Sequence, residues 1–207
     1  VLRVKVGDEI ETFDGEGRCT RLKVEETGET GISFSFVSEF TLDRRSPLKL
    51  TLGLNPLKGG NEEIAVRMAA AMEVSEIVPV FFKRSDVPID FDNLEKRLER
   101  WKRFCVAETI VSGGAYLPKI GRPVTLRMFL EDHVNGVLFD EEAEASELTF
   151  QHGESVAALI GPEGGLERDE VDLARSKGLR IASFGPWVLR AELAGAMVPG
   201  WMYSRVL

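Results

Sequence analysis

Apolar and polar positions change rhythm once along this chain, near residue 47. Before that point the period is two. Ile32-Ser33-Phe34-Ser35-Phe36 alternates, Val4 and Val6 stand between charged neighbours, and Gly7-Asp8 and Asp14-Gly15 mark turns. Residues 1–46 therefore read as a small β module, too short to bury a large core by itself, with Arg44-Arg45-Ser46-Pro47 as a linker. From Leu48 onward, short apolar runs alternate with helical periodicity. Strands are predicted at 48–54, 77–82, 136–140, 156–160 and 180–184. Helices are predicted at 62–73, 93–112, 126–133, 167–177 and from Arg190 toward the end. Such alternation argues for an α/β fold with a mostly parallel sheet covered on both faces. Trp101 and the Phe81-Phe82 pair are assigned to its core.

Two of the predicted strands end in the same way. The run Val156–Ile160 stops at Gly161-Pro162-Glu163-Gly164-Gly165, and Ile181–Phe184 stops at Gly185-Pro186. Glycine lets backbone approach a ligand closely, proline fixes the turn, and parallel sheets bind ligands beyond their carboxyl edge. The pair predicts a pocket walled largely by main chain. No GxGxxG or GxxxxGK[ST] pattern is present, and no Ser-His-Asp or Cys-His set is legible, so dinucleotide binding and covalent catalysis are disfavoured. Glu167, Asp169 and Glu170 suit the start of a helix and would repel phosphate. A cationic or zwitterionic cofactor fits better.

Composition narrows the classes further. The 207 residues are 43% hydrophobic and 29% charged, with no apolar run long enough to span a membrane and no signal-peptide pattern at the start. Cys19 and Cys105 lack a CxxC partner, and the two histidines, His133 and His152, read as solvated loop residues. Neither a disulfide nor a metal site is expected, and a cytoplasmic location fits. The net charge of −8 is concentrated: residues 140–172 carry eleven acids against Arg168 alone. The remainder is near neutrality, with basic clusters at Lys83-Arg84 and along Lys96, Arg97, Arg100, Lys102 and Arg103. Those clusters are either a solvated face or phosphate contacts.

Leu159-Ile160-Gly161-Pro162-Glu163-Gly164-Gly165, the acidic helix after it and Phe184-Gly185-Pro186-Trp187-Val188-Leu189-Arg190-Ala191-Glu192 carry a resemblance. They are similar to the uridine-N3 methyltransferases of small-subunit (16S) ribosomal RNA, a family of the knotted SPOUT superfamily. Val1 to Asp8 with Phe13-Asp14-Gly15 resembles that family's PUA-like barrel, and Val74 to Val80, Arg84-Ser85 and Arg100-Trp101 also match. The resemblance implies a PUA-like β module at 1–46, incomplete at its N-terminus, and a SPOUT α/β-knot domain at 47–207 whose C-terminal segment forms a trefoil knot. It implies S-adenosylmethionine as cofactor, small-subunit ribosomal RNA as substrate and a homodimer, with no membrane and no metal. The cofactor residues would be Leu138, Phe139, Gly161, Pro162, Glu163, Gly164, Gly165, Phe184, Gly185, Pro186, Val188 and Leu189. Arg190, Glu192 and Glu163 are the catalytic candidates; Arg3, Lys58, Arg67, Lys83 and Arg84 are the RNA-binding ones.

The departures from the family pattern cluster. Where the family reads close to K-A-T-E-L-G-V, this chain has Met68, Ala71 and Glu73 in place of lysine, glutamate and glycine. Its E-Q-S-x-R is Ile110-Val111-Ser112-Gly113-Gly114 here, and E-T-A is Glu192-Leu193-Ala194. Loss of cationic groups weakens binding to a phosphate backbone. Three readings stay open: a uridine-N3 methyltransferase, a methyltransferase of another RNA, and a degenerate relative that binds cofactor or a protein partner without catalysis.

Overall fold

The computed structural model describes residues 4–29, 31–87, 91–144 and 147–207. Two sheets form. The first is antiparallel, in the order β1 (Glu9–Phe13), β2 (Arg18–Gly28), β3 (Gly31–Thr41). Asp14 closes the first hairpin, its Oδ1 accepting from the backbone N–H of Glu16 at 2.7 Å and of Arg18 at 3.1 Å. Val4 and Val6 do not continue the strand pattern: Val6 sits exposed in a turn, tied back by Gly7 N–H to the Val24 carbonyl. Few apolar groups are buried here beyond Cys19 and Val24, while Phe34 and Phe36 stay exposed.

The second sheet has seven strands, all parallel, in the order β10-β8-β9-β4-β5-β6, with β7 beside β5. The strands are β4 (Lys49–Leu54), β5 (Glu76–Phe81), β6 (Lys119–Ile120), β7 (Val124–Thr125), β8 (Gly136–Phe139), β9 (Ser155–Ile160) and β10 (Arg180–Ala182). Helices α1 (Glu63–Ala71), α2 (Phe91–Val111), α3 (Leu126–Asp132), α4 (Arg168–Ser176) and α5 (Ala191–Tyr203) cover it. The central strands are buried on both faces, which is why they read as unbroken apolar runs. Alternate residues feed two cores. Val156, Ala158 and Ile160 pack with Ala65, Trp101 and Val198 on the α1-α2-α5 face; Ala157 and Leu159 pack with Phe129, Leu130 and Val171 on the α3-α4 face. Trp101, Phe81 and Phe82 are buried as expected.

Two local features set the α1 face. Glu62, only 2% exposed, precedes α1, and its carboxylate accepts from Leu57 N–H at 3.1 Å, Arg97 at 3.0 Å and Trp101 Nε1 at 3.2 Å. Just past the other end of α1, Glu73 adopts φ 55°, a left-handed conformation that costs a side-chain-bearing residue energy. Its buried carboxylate pairs with Arg44 at 3.2 Å, and a Cβ on Gly114 would come within 2.9 Å of it. Glu73→Gly is therefore expected to be more stable than Glu73→Ala by about 1 kcal/mol in denaturant melts, since both lose the ion pair and only glycine relieves the backbone.

Cys19 and Cys105 are free and buried, and burial pushes the Cys105 thiol up to about 12. Neither thiol should react with an aromatic disulfide reagent at pH 8 until the chain is unfolded, when both should. His152 is exposed as expected, but His133 is half-buried at the end of α3 and lies 4.2 Å from the Phe129 ring, so burial lowers its pKa.

The chain leaves β10 at one edge of the sheet and returns across it, because α5 packs on α1. The long β8–β9 connection meets the C-terminus there: Phe150 bridges Val206, and Leu207 N–H donates to the Phe150 carbonyl at 3.0 Å.

Candidate functional site

Strands β10, β8 and β9 are neighbours, so the loops leaving their carboxyl ends converge. They enclose a cavity of ≈ 620 Å³, a size suited to a nucleoside-bearing cofactor.

The loop after β9 forms one wall. Gly165 adopts φ 75°, and its N–H closes a turn onto the Pro162 carbonyl at 3.0 Å. A Cβ on Gly161 would sit 2.7 Å from Leu166, so the loop packs this closely only with glycine. A capping box between Glu167 and Glu170 then starts α4. Glu170 is buried and also accepts from Lys83 N–H at 2.8 Å, while Lys83 Nζ pairs with Glu167 at 3.2 Å and with Asp169. The three acids thus serve the helix start, as their placement suggested. Lys83 holds the Asp169 carboxyl below its ordinary 3.8, so their pair is complete above that value and lost only as pH falls through the lowered one.

The loop after β10 forms the second wall. The expected strand 180–184 stops at Ala182, which frees Phe184 to stack on Phe139 with ring centres 4.4 Å apart and planes 8° from parallel. Trp201 meets Phe139 edge-on at 5.2 Å. Trp187 and Val188 protrude, 69% and 74% exposed. Arg190 is the N-cap of α5, with Glu192 in its first turn. Among the described residues neither Arg190 nor Glu192 takes part in an ion pair, and the two do not pair with each other.

The third wall is Asp140, Glu141 and Glu142 after β8. Arg168 braces it, 3.5 Å from Asp140 and in contact with Glu142. Sequence reasoning did not single these residues out as a site, although the acidic run beginning at 140 was the available signal. With Glu163 and Glu192 they make the cavity predominantly acidic, with Arg84 and Arg190 as its cations.

Of the expected cofactor residues, Phe139, Gly161 to Gly165, Phe184, Val188 and Leu189 line the cavity together. Leu138 does not: strand alternation turns it into the α3-α4 core, fully buried. Gly185 and Pro186 shape the second loop without lining the space. All three catalytic candidates, Arg190, Glu192 and Glu163, face it. The four RNA candidates among the described residues are already paired. Lys58 meets Asp86 at 3.0 Å, and Arg67 meets Glu63 at 2.9 Å and also Glu108. Arg84 lies 3.5 Å from Glu167, and Lys83 is paired as above. Arg3 lies outside the described residues. On α2, Arg97, Arg100 and Lys102 likewise pair with Glu62, Glu63 and Glu99. Among the described residues no group of three His, Cys, Asp or Glu could hold a metal, and no helix is long and apolar enough to cross a membrane.

The sequence model of the RNA methyltransferase domain matches residues 44–202, from the linker through all but the end of α5. The chain belongs to this RNA methyltransferase family. Within it, ribosomal RNA small subunit methyltransferase E of Mesomycoplasma hyopneumoniae is 30% identical over 70% of this chain and 65% of its own length. The Synechocystis protein of the same name is 26% identical over 94% of this chain and 65% of its own. The chain thus spans about two-thirds of the length of these relatives. A structure from Legionella pneumophila with bound cofactor SAM superimposes with TM-score 0.91 at 25% identity, over 99% of this chain and 86% of that one. Ribosomal RNA small subunit methyltransferase E of Neisseria gonorrhoeae, bound to S-adenosyl methionine, shares the fold at TM-score 0.87 and 23% identity, over 98% and 85% of the two chains.

Proposed function

We propose that this chain is an S-adenosylmethionine-dependent methyltransferase that methylates N3 of a uridine in small-subunit (16S) ribosomal RNA. The observation that carries the reading is the three-walled cavity, with an acidic lining and with Arg190 at its edge in no ion pair among the described residues. The cavity fits this cofactor chemically. Its acids suit a sulfonium and an ammonium, its glycine-built wall offers main-chain hydrogen-bonding groups, and the Phe139–Phe184 stack offers an aromatic surface for a base. When bound, the cofactor supplies an electrophilic methyl group that needs an in-line nucleophile. The chain's own residues do the rest. Arg190 places a fixed positive charge beside the uridine as N3 loses its proton. Glu163, exposed at the loop, or Glu192 accepts that proton.

The finer architecture in this reading is a PUA-like module at 1–46 and a SPOUT domain at 47–207 with a C-terminal trefoil knot. The return of α5 to α1, together with the Phe150–Val206 bridge that lays the β8–β9 loop against the C-terminus, supports the knot. A homodimer is supported by apolar positions left exposed one turn apart on the two packed helices: Ile64 and Met68 on α1, Leu193 and Met197 on α5. The protein would act in the cytoplasm, and RNA would exchange with the acids that Lys58 and Arg67 now hold.

A second reading, a relative that binds cofactor without methylating RNA, is favoured by those same internal ion pairs and by Met68 and Val111 standing exposed where the resemblance expects lysine and glutamine. Calorimetry separates the cofactor from the rest. One site per chain for S-adenosylmethionine is expected, and an absence of binding at millimolar cofactor would overturn both readings.

A further inference from the structure

Residues 82–85, where β5 ends, are welded to the glycine loop eighty positions further along the chain. Ser85 Oγ accepts from Phe82 N–H at 2.9 Å and donates to the Asn55 side chain, which makes the turn rigid. The Lys83 N–H then docks on buried Glu170. From this anchored turn Arg84 reaches the loop by two contacts. Its Nη1 donates to the Gly164 carbonyl at 3.2 Å, and its Nε lies 3.5 Å from Glu167. A Cβ added at Gly164 would fall 3.2 Å from the Arg84 Cβ and 3.3 Å from its carbonyl oxygen. The hydrogen bond to Gly164 and the Glu167 carboxylate orient the guanidinium toward the loop, with half of the side chain still exposed.

We propose that Arg84 is a positioning residue for the Gly161–Gly165 loop, acting through the Gly164 carbonyl and Glu167, and not an RNA contact. Its effect on cofactor affinity rests on the function proposed above; its effect on loop order does not. Arginine suits the role because its planar fork fixes the directions in which it addresses a carbonyl and a carboxylate, whereas lysine carries a point charge on a flexible stem.

The test compares Arg84→Ala, Arg84→Lys and Gly164→Ala with the parent chain. Hydrogen exchange over residues 161–170, with no ligand present, should rise in Arg84→Ala and in Gly164→Ala, and recover only in part in Arg84→Lys. S-adenosylmethionine affinity should fall roughly tenfold in Arg84→Ala, the scale of one hydrogen bond from a charged group. Affinity for a small-subunit RNA fragment should change by less than about twofold, since no phosphate contact is removed. Exchange at the parent level in Arg84→Ala would overturn the proposal, as would weakened RNA binding with cofactor affinity intact. If the parent chain itself binds no cofactor, the proposed function fails, while the exchange comparison still decides the role of Arg84.

Discussion

Arg190→Ala is expected to slow methyl transfer by ~10²–10³-fold, the range found when one preorganised charge-stabilising donor is removed from an active site. Cofactor affinity should change by less than about threefold, because the proposed partner of Arg190 is the uridine and the net charge of the cofactor is positive. The position of Arg190 sets this effect. It caps α5 with an extended backbone, φ −61° and ψ 147°, so its side chain leaves the helix at the cavity edge. The positive end of the α5 dipole lies beside it and adds to the field an N3 anion would feel. No acid among the described residues quenches it, in contrast to Lys58, Arg67, Lys83 and Arg84. Single-turnover assays with saturating cofactor isolate the chemical step. Because the loss belongs to electrostatics and not to proton transfer, Arg190→Lys should recover part of it, and raising the pH should narrow the gap by forming the uridine anion in solution. Full activity in Arg190→Ala would remove Arg190 from the mechanism.

Glu62→Ala should be the most damaging substitution outside the cavity, at about 3–5 kcal/mol, the cost of breaking one partner out of a buried ionic network. Glu62 is the hub through which the start of α1, the side chain of Arg97 and the indole of Trp101 are joined. Alanine would strand three donors at once, in a place where Arg97 is only 22% exposed and Trp101 1%. Denaturant titration followed by Trp101 fluorescence measures it. Glu62→Gln should cost less, since the amide oxygen still accepts from Leu57 N–H. An alanine variant within about 1 kcal/mol of the parent chain would show that water repairs the network.

Much of this fold is legible in the chain because its central strands are apolar on both faces and its helices on one. The helices expected at 62–73, 93–112 and 167–177 form at Glu63–Ala71, Phe91–Val111 and Arg168–Ser176. Strands β6 and β7 escape because two residues cannot display a period. Val4 and Val6 mislead because alternation also occurs in a turn whose partners lie elsewhere. Within the site, glycine and proline announce two of the three walls. The third, Asp140 to Glu142, carries no glycine and hides inside a longer run of acids. Leu138 and Phe139 are adjacent in sequence, and only the strand's pleat decides which of them reaches the cavity. The pairing of Lys58 with Asp86 and of Arg84 with Glu167 is invisible to local patterning, since it depends on how loops from different strands meet.

The departures from the family pattern also gain a physical context. Glu73, Gly114 and Arg44 form one contact cluster, with a carboxylate where the pattern has glycine and a glycine where it has arginine. Arg44 also donates to the Ser112 carbonyl at 3.3 Å, so the linker's own arginine fills the space beside Gly114. The substitutions therefore compensate each other in packing. None of Arg44, Glu73 and Gly114 lines the cavity.

Methyl transfer to N3 of a uridine at this cavity, as proposed, can be observed directly. Purified chain, S-adenosylmethionine carrying an isotopically labelled methyl group and unmethylated small ribosomal subunits provide the direct test, with the RNA digested to nucleosides and weighed. Labelled 3-methyluridine is expected, formed by the parent chain and nearly absent with Arg190→Ala. Label on another nucleoside, or none despite bound cofactor, would contradict the proposed transfer.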